Sequence, residues 1–148
     1  MKKYLVGIMY HDPKSWELWN AGIVEDYESI TGIFILADTE DSAILWASYI
    51  ADKLFIKTNP NENKSWKSFG YTCWIEHDLQ KSYWTHCFDF FQCVKVNEMP
   101  NLDLMGTDAY IKWKKKNLKT SVAIDDKYSN LNLNIKTSFW SNLKKWIK

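Results

Sequence analysis

The sequence predicts an α+β domain: a single mixed or antiparallel sheet of about four to five strands, with two or three helices mainly on one face. Three observations predict it. Residues 3–10 and 29–37 are apolar and β-branched runs of strand length, and residues 40–56 repeat apolar side chains at three and four. Residues 67–96 hold all three cysteines, two of the three histidines and an alternating aromatic pattern.

In chain order, Lys3 to Tyr10 is bounded by the turn-forming His11-Asp12-Pro13 and reads as a central strand buried on both faces. Residues 16–24 stay open between a helical turn and a strand, because Trp16 and Trp19 are three apart while Gly22-Ile23-Val24 looks extended. Ser29 to Ala37 is a strand. Asp38 or Thr39 can cap the helix that follows, whose inward stripe is Ala43, Trp46, Ala47, Ile50, Ala51 and Leu54. Asn59 to Asn63 ends it as a loop.

In the stretch 67–96, Phe69, Tyr71, Cys73 and Ile75 alternate with Gly70, Thr72, Trp74 and Glu76. With a second strand from His86 to Val96 and a polar connection at 76–82, the expectation is an antiparallel hairpin that shows Trp74 outward. Thr107 or Asp108 opens a helix over about 109–118, with Ala109, Tyr110 and Trp113 inward. The expected domain is 1–118. Residues 119–148 read as a basic extension ending in an amphipathic helix, from Ser138, that docks on it. A ferredoxin-like variant is one arrangement compatible with this order.

The chain has 148 residues, enough for one core without disulfide or metal staples. Its formal charge of +1 conceals a division: residues 1–111 carry nine lysines against sixteen acids, net −7, and residues 112–148 carry ten lysines against Asp125 and Asp126, net +8. All nineteen basic side chains are lysine, which argues against bidentate reading of bases or phosphates. No apolar run reaches the ~20 residues of a membrane span, and Lys2-Lys3 leads into no signal-peptide core, so a cytoplasmic protein with reduced thiols is expected.

Cys73, His77, His86, Cys87 and Cys93 are enough soft ligands for zinc, but their spacing fits no familiar knuckle, and neighbours in a strand point to opposite faces. The same geometry argues against His86 as the base for a Cys87 nucleophile. Glu76 and Asp78 flank His77, and Glu25, Asp26 and Glu28 cluster before a strand, which fits a solvated acidic rim better than a catalytic pair. No phosphate loop, nucleophile elbow or metal-helix motif occurs. No cofactor and no metal are therefore expected.

Nine tryptophans exceed what one modest core takes. Trp66, Trp74 and Trp84 lie in or beside the expected hairpin, and with Glu25, Asp26, Glu28, Glu76 and Asp78 they make an aromatic surface fringed by acids, the composition of a protein-binding patch. In size and composition the chain resembles the small bacterial immunity and inhibitor proteins. The resemblance implies a non-catalytic module that neutralises a basic toxin or enzyme through that surface. The alternative is a small enzyme or a ligand- or metal-binding domain using His77, His86, Cys87 and nearby acids. A third reading is a nucleic-acid accessory protein that uses the basic C-terminal third.

Overall fold

In the computed structural model the described residues are 1–23 and 29–128, with side chains described for 1–23 and 30–118. Strand β1 (Lys2–Tyr10) leads to helix α1 (Pro13–Asn20), strand β2 (Ser29–Ala37) and helix α2 (Glu40–Thr58). Strands β3 (Thr72–Ile75) and β4 (Cys93–Lys95) and helix α3 (Thr107–Tyr128) follow. The chain divides into two compact units, residues 1–113 and 114–148. The fold is α+β, with one four-stranded mixed sheet in the order β3-β1-β2-β4.

The central pair forms where β-branched residues are densest. β1 and β2 run antiparallel from Lys2 opposite Ala37 to Tyr10 opposite Ser29. β3 joins β1 antiparallel, Val6 opposite Ile75, and β4 joins β2 parallel, Phe34 opposite Cys93. In a ferredoxin-like fold the first two strands are parallel and separated by another; here they are antiparallel neighbours, so the topology is a different one.

Residues 16–24 resolve in favour of a helix as far as Asn20. Asp12 accepts hydrogen bonds from the Lys14 and Ser15 amides at 3.0 and 3.2 Å, and Pro13 fills the first turn, where its missing N–H costs nothing. The Asp-Pro pair is thus a helix start as well as a strand end. Thr39, not Asp38, caps α2, accepting from the Ser42 amide at 3.1 Å, and Glu40 and Asp41 lie in the favourable first turn.

α2 packs on β1, β2 and β3. Ala43, Ala47 and Ala51 recur every four residues on its inner side, all buried, and their small side chains let the helix settle close to Val6, Ile8, Ile33 and Ile35. The Trp46 indole N–H donates to the Glu98 carbonyl at 3.0 Å, tying α2 to the segment after β4. Phe55, Trp66, Phe69 and Tyr71 close the same core through edge-on and tilted ring contacts of 5.1 to 5.5 Å.

The expected hairpin is not formed. β3 and β4 lie at opposite edges of the sheet, and the strand expected from His86 to Val96 shrinks to Cys93–Lys95 behind a 3-10 turn at Thr85–Cys87. Trp84, Cys87, Phe88 and Phe91 are spaced at three and four, so the connection coils and lays these rings on the sheet face opposite α2. Gly7 and Gly32 sit opposite each other on that face and leave a flat aisle. The Trp74 ring rests on Gly7 and the Phe91 ring on Gly32, bridged by Trp84 at 5.6 and 5.5 Å. The sheet is covered on one face by a helix and on the other by a layer of rings.

α3 begins at Thr107, and Tyr110 and Trp113 meet Phe90 at 5.4 and 5.6 Å. The expected strand-like run at 131–135 and the final helix from Ser138 lie outside the described residues, as does the expected docking of the extension.

Candidate protein-binding surface and clefts

α2 has a second apolar stripe facing away from the core. Asp41, Leu45, Tyr49, Asp52 and Ile56 follow one another at four, four, three and four residues, which places them on one side of a helix. Leu45 is 74 % exposed, Ile56 50 % and Tyr49 45 %. Tyr49 stacks on Trp46 at 4.9 Å and 17°, and the Lys53 ammonium lies 5.0 Å from the Tyr49 ring centre. At the helix start Asp38, Glu40 and Asp41 are all exposed, so the stripe runs out of an acidic cluster. His77 approaches Glu40, Nδ1 to Oε1 3.8 Å, which brings one member of the 76–78 triplet to the same end of α2.

The residues expected to form the aromatic patch are distributed differently. Trp66 is buried at 4 % exposure in the main core and is not available to a partner, a correction that follows from its edge-on contact with Tyr71. Trp74 does point away from Cys73 and Ile75, as alternation requires, but the face it points to is covered, and both Trp74 and Trp84 are half-buried in the ring layer. Glu76 is half-buried, and Asp78 is exposed with its carboxylate 3.3 Å from Lys81. Glu25, Asp26 and Glu28 lie outside the described residues. Leu45, Tyr49 and Ile56 are masked in the sequence by the stronger inward stripe of the same helix. The signal was there, in apolar residues at four and seven on the opposite side of the helix.

Two clefts flank the sheet end. The first, of about 360 Å³, has an apolar floor of Ile8, Leu54, Phe55 and Met105 and a rim carrying the Lys57–Asp103 ion pair, Asp108 and Lys112. Gln92 holds Asn101, the residue before the lining pair Leu102 and Asp103, donating to the Asn101 carbonyl at 2.9 Å and accepting from the Asn101 amide at 2.8 Å. The Tyr71 hydroxyl donates to the His11 carbonyl at 2.6 Å, and burial followed by the nearby Tyr10 and Asp12 raises its pKa.

The second cleft, of about 370 Å³, is lined by Thr31, Trp84, His86, Cys87, Phe90 and Tyr110 among others. His86 and Cys87 line it together because they sit on a 3-10 turn, where successive side chains are about 120° apart, not on a strand, where they would oppose. That overturns the geometric objection to their sharing a site. The Tyr110 hydroxyl has a raised pKa through burial and through its hydrogen bond with the Cys87 thiol. His77 is not among the lining residues. Among the described residues no group of three or more His, Cys, Asp and Glu side chains is placed to hold a metal ion.

None of the three cysteines forms a disulfide. Burial pushes the Cys73 thiol up to about 11, against opposing pulls from Ser48 and Lys67. An unfolded thiol ionises near 9, so unfolding releases this proton between pH 9 and 11, and the native state loses stability as pH rises through that window. Unfolding free energies from urea titrations between pH 8 and 11 should fall more for the wild type than for Cys73→Ala, by roughly 1–2 kcal/mol. Parallel pH curves would contradict the assignment.

Among the described residues no helix is long and apolar enough to cross a membrane. No protein-family model, no curated protein and no solved structure matches the chain.

Proposed function

We propose that this is a non-catalytic protein-binding module of the immunity or inhibitor kind, and that its acidic first unit receives a basic partner protein on the outward side of α2. The reading rests on one observation: an apolar stripe of Leu45, Tyr49 and Ile56 held in water beside acids at the helix start. A leucine 74 % exposed contributes little to folding, whereas an apolar stripe with a stacked Trp-Tyr pair has the composition of an interface core. Residues 1–113 carry ten lysines against sixteen acids, a net of −6 that attracts a basic protein and repels an acidic one. Cysteines outside any disulfide suit a reducing, cytoplasmic setting.

The partner to try is the product of the neighbouring gene, since inhibitors of this kind are commonly encoded beside their targets. Calorimetric titration of that product should give saturable binding that weakens as salt is raised. The combined variant Leu45→Ala, Tyr49→Ala and Ile56→Ala should weaken it about 100-fold or more, because buried anchors are worth about 2 kcal/mol each. Tyr49→Phe should retain affinity. Equal binding by the triple variant would move the interface elsewhere.

A further inference from the structure

We propose that the cleft over Cys87 is a binding site for a small, flat, uncharged aromatic ring compound. This does not rest on the α2 surface, which lies on other residues. Four ring contacts define its walls. Phe90 meets Tyr110 at 5.4 Å and 66°, Phe90 meets Phe91 at 6.1 Å and 55°, Trp84 meets Phe91 at 5.5 Å and 78°, and His86 meets Tyr110 at 6.3 Å and 66°. Every pair is tilted or edge-on, so a further ring entering the slot continues the same edge-to-face order, the arrangement the ring quadrupoles prefer. A volume of about 370 Å³ is within the range of small-molecule sites.

The lining selects against charge. It contains no lysine, aspartate or glutamate, and His86 alone could carry a charge there, when protonated, so an ionised ligand would leave water with no permanent counter-charge. The first cleft, rimmed by Lys57, Asp103, Asp108 and Lys112, is its opposite in this respect. Its polar handles are the buried Thr31 hydroxyl, which accepts from the Gly106 amide at 3.3 Å, the hydrogen-bonded pair Cys87 and Tyr110, and the exposed His86 and Thr107. Those fit a ring bearing one N–H or hydroxyl.

A second, independent observation is at the mouth. Tyr83 lines the cleft yet is 94 % exposed, the most exposed large hydrophobic side chain among the described residues. A ring held in water beside an apolar slot gains little in the empty protein. It gains a stacking partner once a second ring lies beneath it. Tyr83 is accordingly the cover of the site, and Trp84, the next residue, its wall.

The test uses the full chain labelled with nitrogen-15 and two probes, indole and cyclohexanecarboxylate, followed by amide shifts. Indole should move the resonances of residues 83–91 and 106–110 saturably, with a dissociation constant of about 1 mM or tighter, reasonable for so small a ring. Cyclohexanecarboxylate at equal concentration should leave them in place. Tyr83→Ala, at a position too exposed to disturb folding, should weaken indole binding about threefold or more. Shifts that fail to saturate, that scatter over the surface, that appear equally with the aliphatic acid, or that are indifferent to Tyr83→Ala each overturn the proposal.

Discussion

Replacing Trp66 by alanine should lower the stability of the fold by about 3–5 kcal/mol, the cost of emptying a large buried aromatic site. Trp66 is 4 % exposed, follows the Ser65 cap of a 3-10 turn at Trp66–Phe69, and stands edge-on to Tyr71 at 5.1 Å. Tyr71 in turn holds the end of β1 through the His11 carbonyl, so the cavity opens where the entry to β3 is pinned to the exit of β1. Urea unfolding followed by fluorescence measures the effect. The contrast with α2 makes it diagnostic: Leu45→Ala and Ile56→Ala should each stay within about 0.5 kcal/mol, because exposed side chains lose little on truncation. A loss below about 1 kcal/mol for Trp66→Ala would mean that the indole does not fill the core.

The second large effect is expected from the paired glycines. A Cβ on Gly7 would lie 2.4 Å from the Trp74 ring, and one on Gly32 would lie 2.5 Å from the Phe91 ring. Neither ring can swing aside freely, since Trp84 contacts both and Phe34 lies 6.4 Å from Phe91. Gly7→Val and Gly32→Val should therefore each cost about 2–3 kcal/mol through overpacking. Valine is otherwise a good strand residue, so intrinsic preference alone predicts stabilisation and the sign decides between the two effects. In a double-mutant cycle, Phe91→Ala should relieve Gly32→Val by about 1 kcal/mol or more. Additive costs would show that the ring does not rest on the glycine.

Most of the fold was legible in the sequence, and its parts show why. β1, β2 and α2 each carry a full repeat of their own period, nine residues of strand or nineteen of helix, so burial and propensity agree. α1 was ambiguous because Trp16 and Trp19 speak for a helix only through a single turn, and its deciding feature is the Asp12 cap rather than a period. The hairpin failed for a different reason. Residues 84–91 mix a two-residue and a three-to-four-residue repeat, and in a short run rich in aromatics the two cannot be separated without knowing what lies opposite.

The site was less legible than the fold. The acidic excess of the body was plain from counting, but Trp66 went to the core, Trp74 and Trp84 to the ring layer, and the exposed apolar stripe to the far side of α2. A strand at His86 and Cys87 would set the two side chains on opposite faces, and the chain forms a 3-10 turn there instead.

The central strand pair, the capped helix over it and the sign of the charge on the body follow from local sequence, because each is set by neighbours within a few turns of chain. Which rings meet water is settled by long-range packing. Periodicity groups side chains onto a common face, but whether that face is left to solvent depends on a distant segment. Here residues 84–91 came back across the sheet, Phe91 onto Gly32 and Trp84 against the Trp74 ring that lies on Gly7, and closed that face.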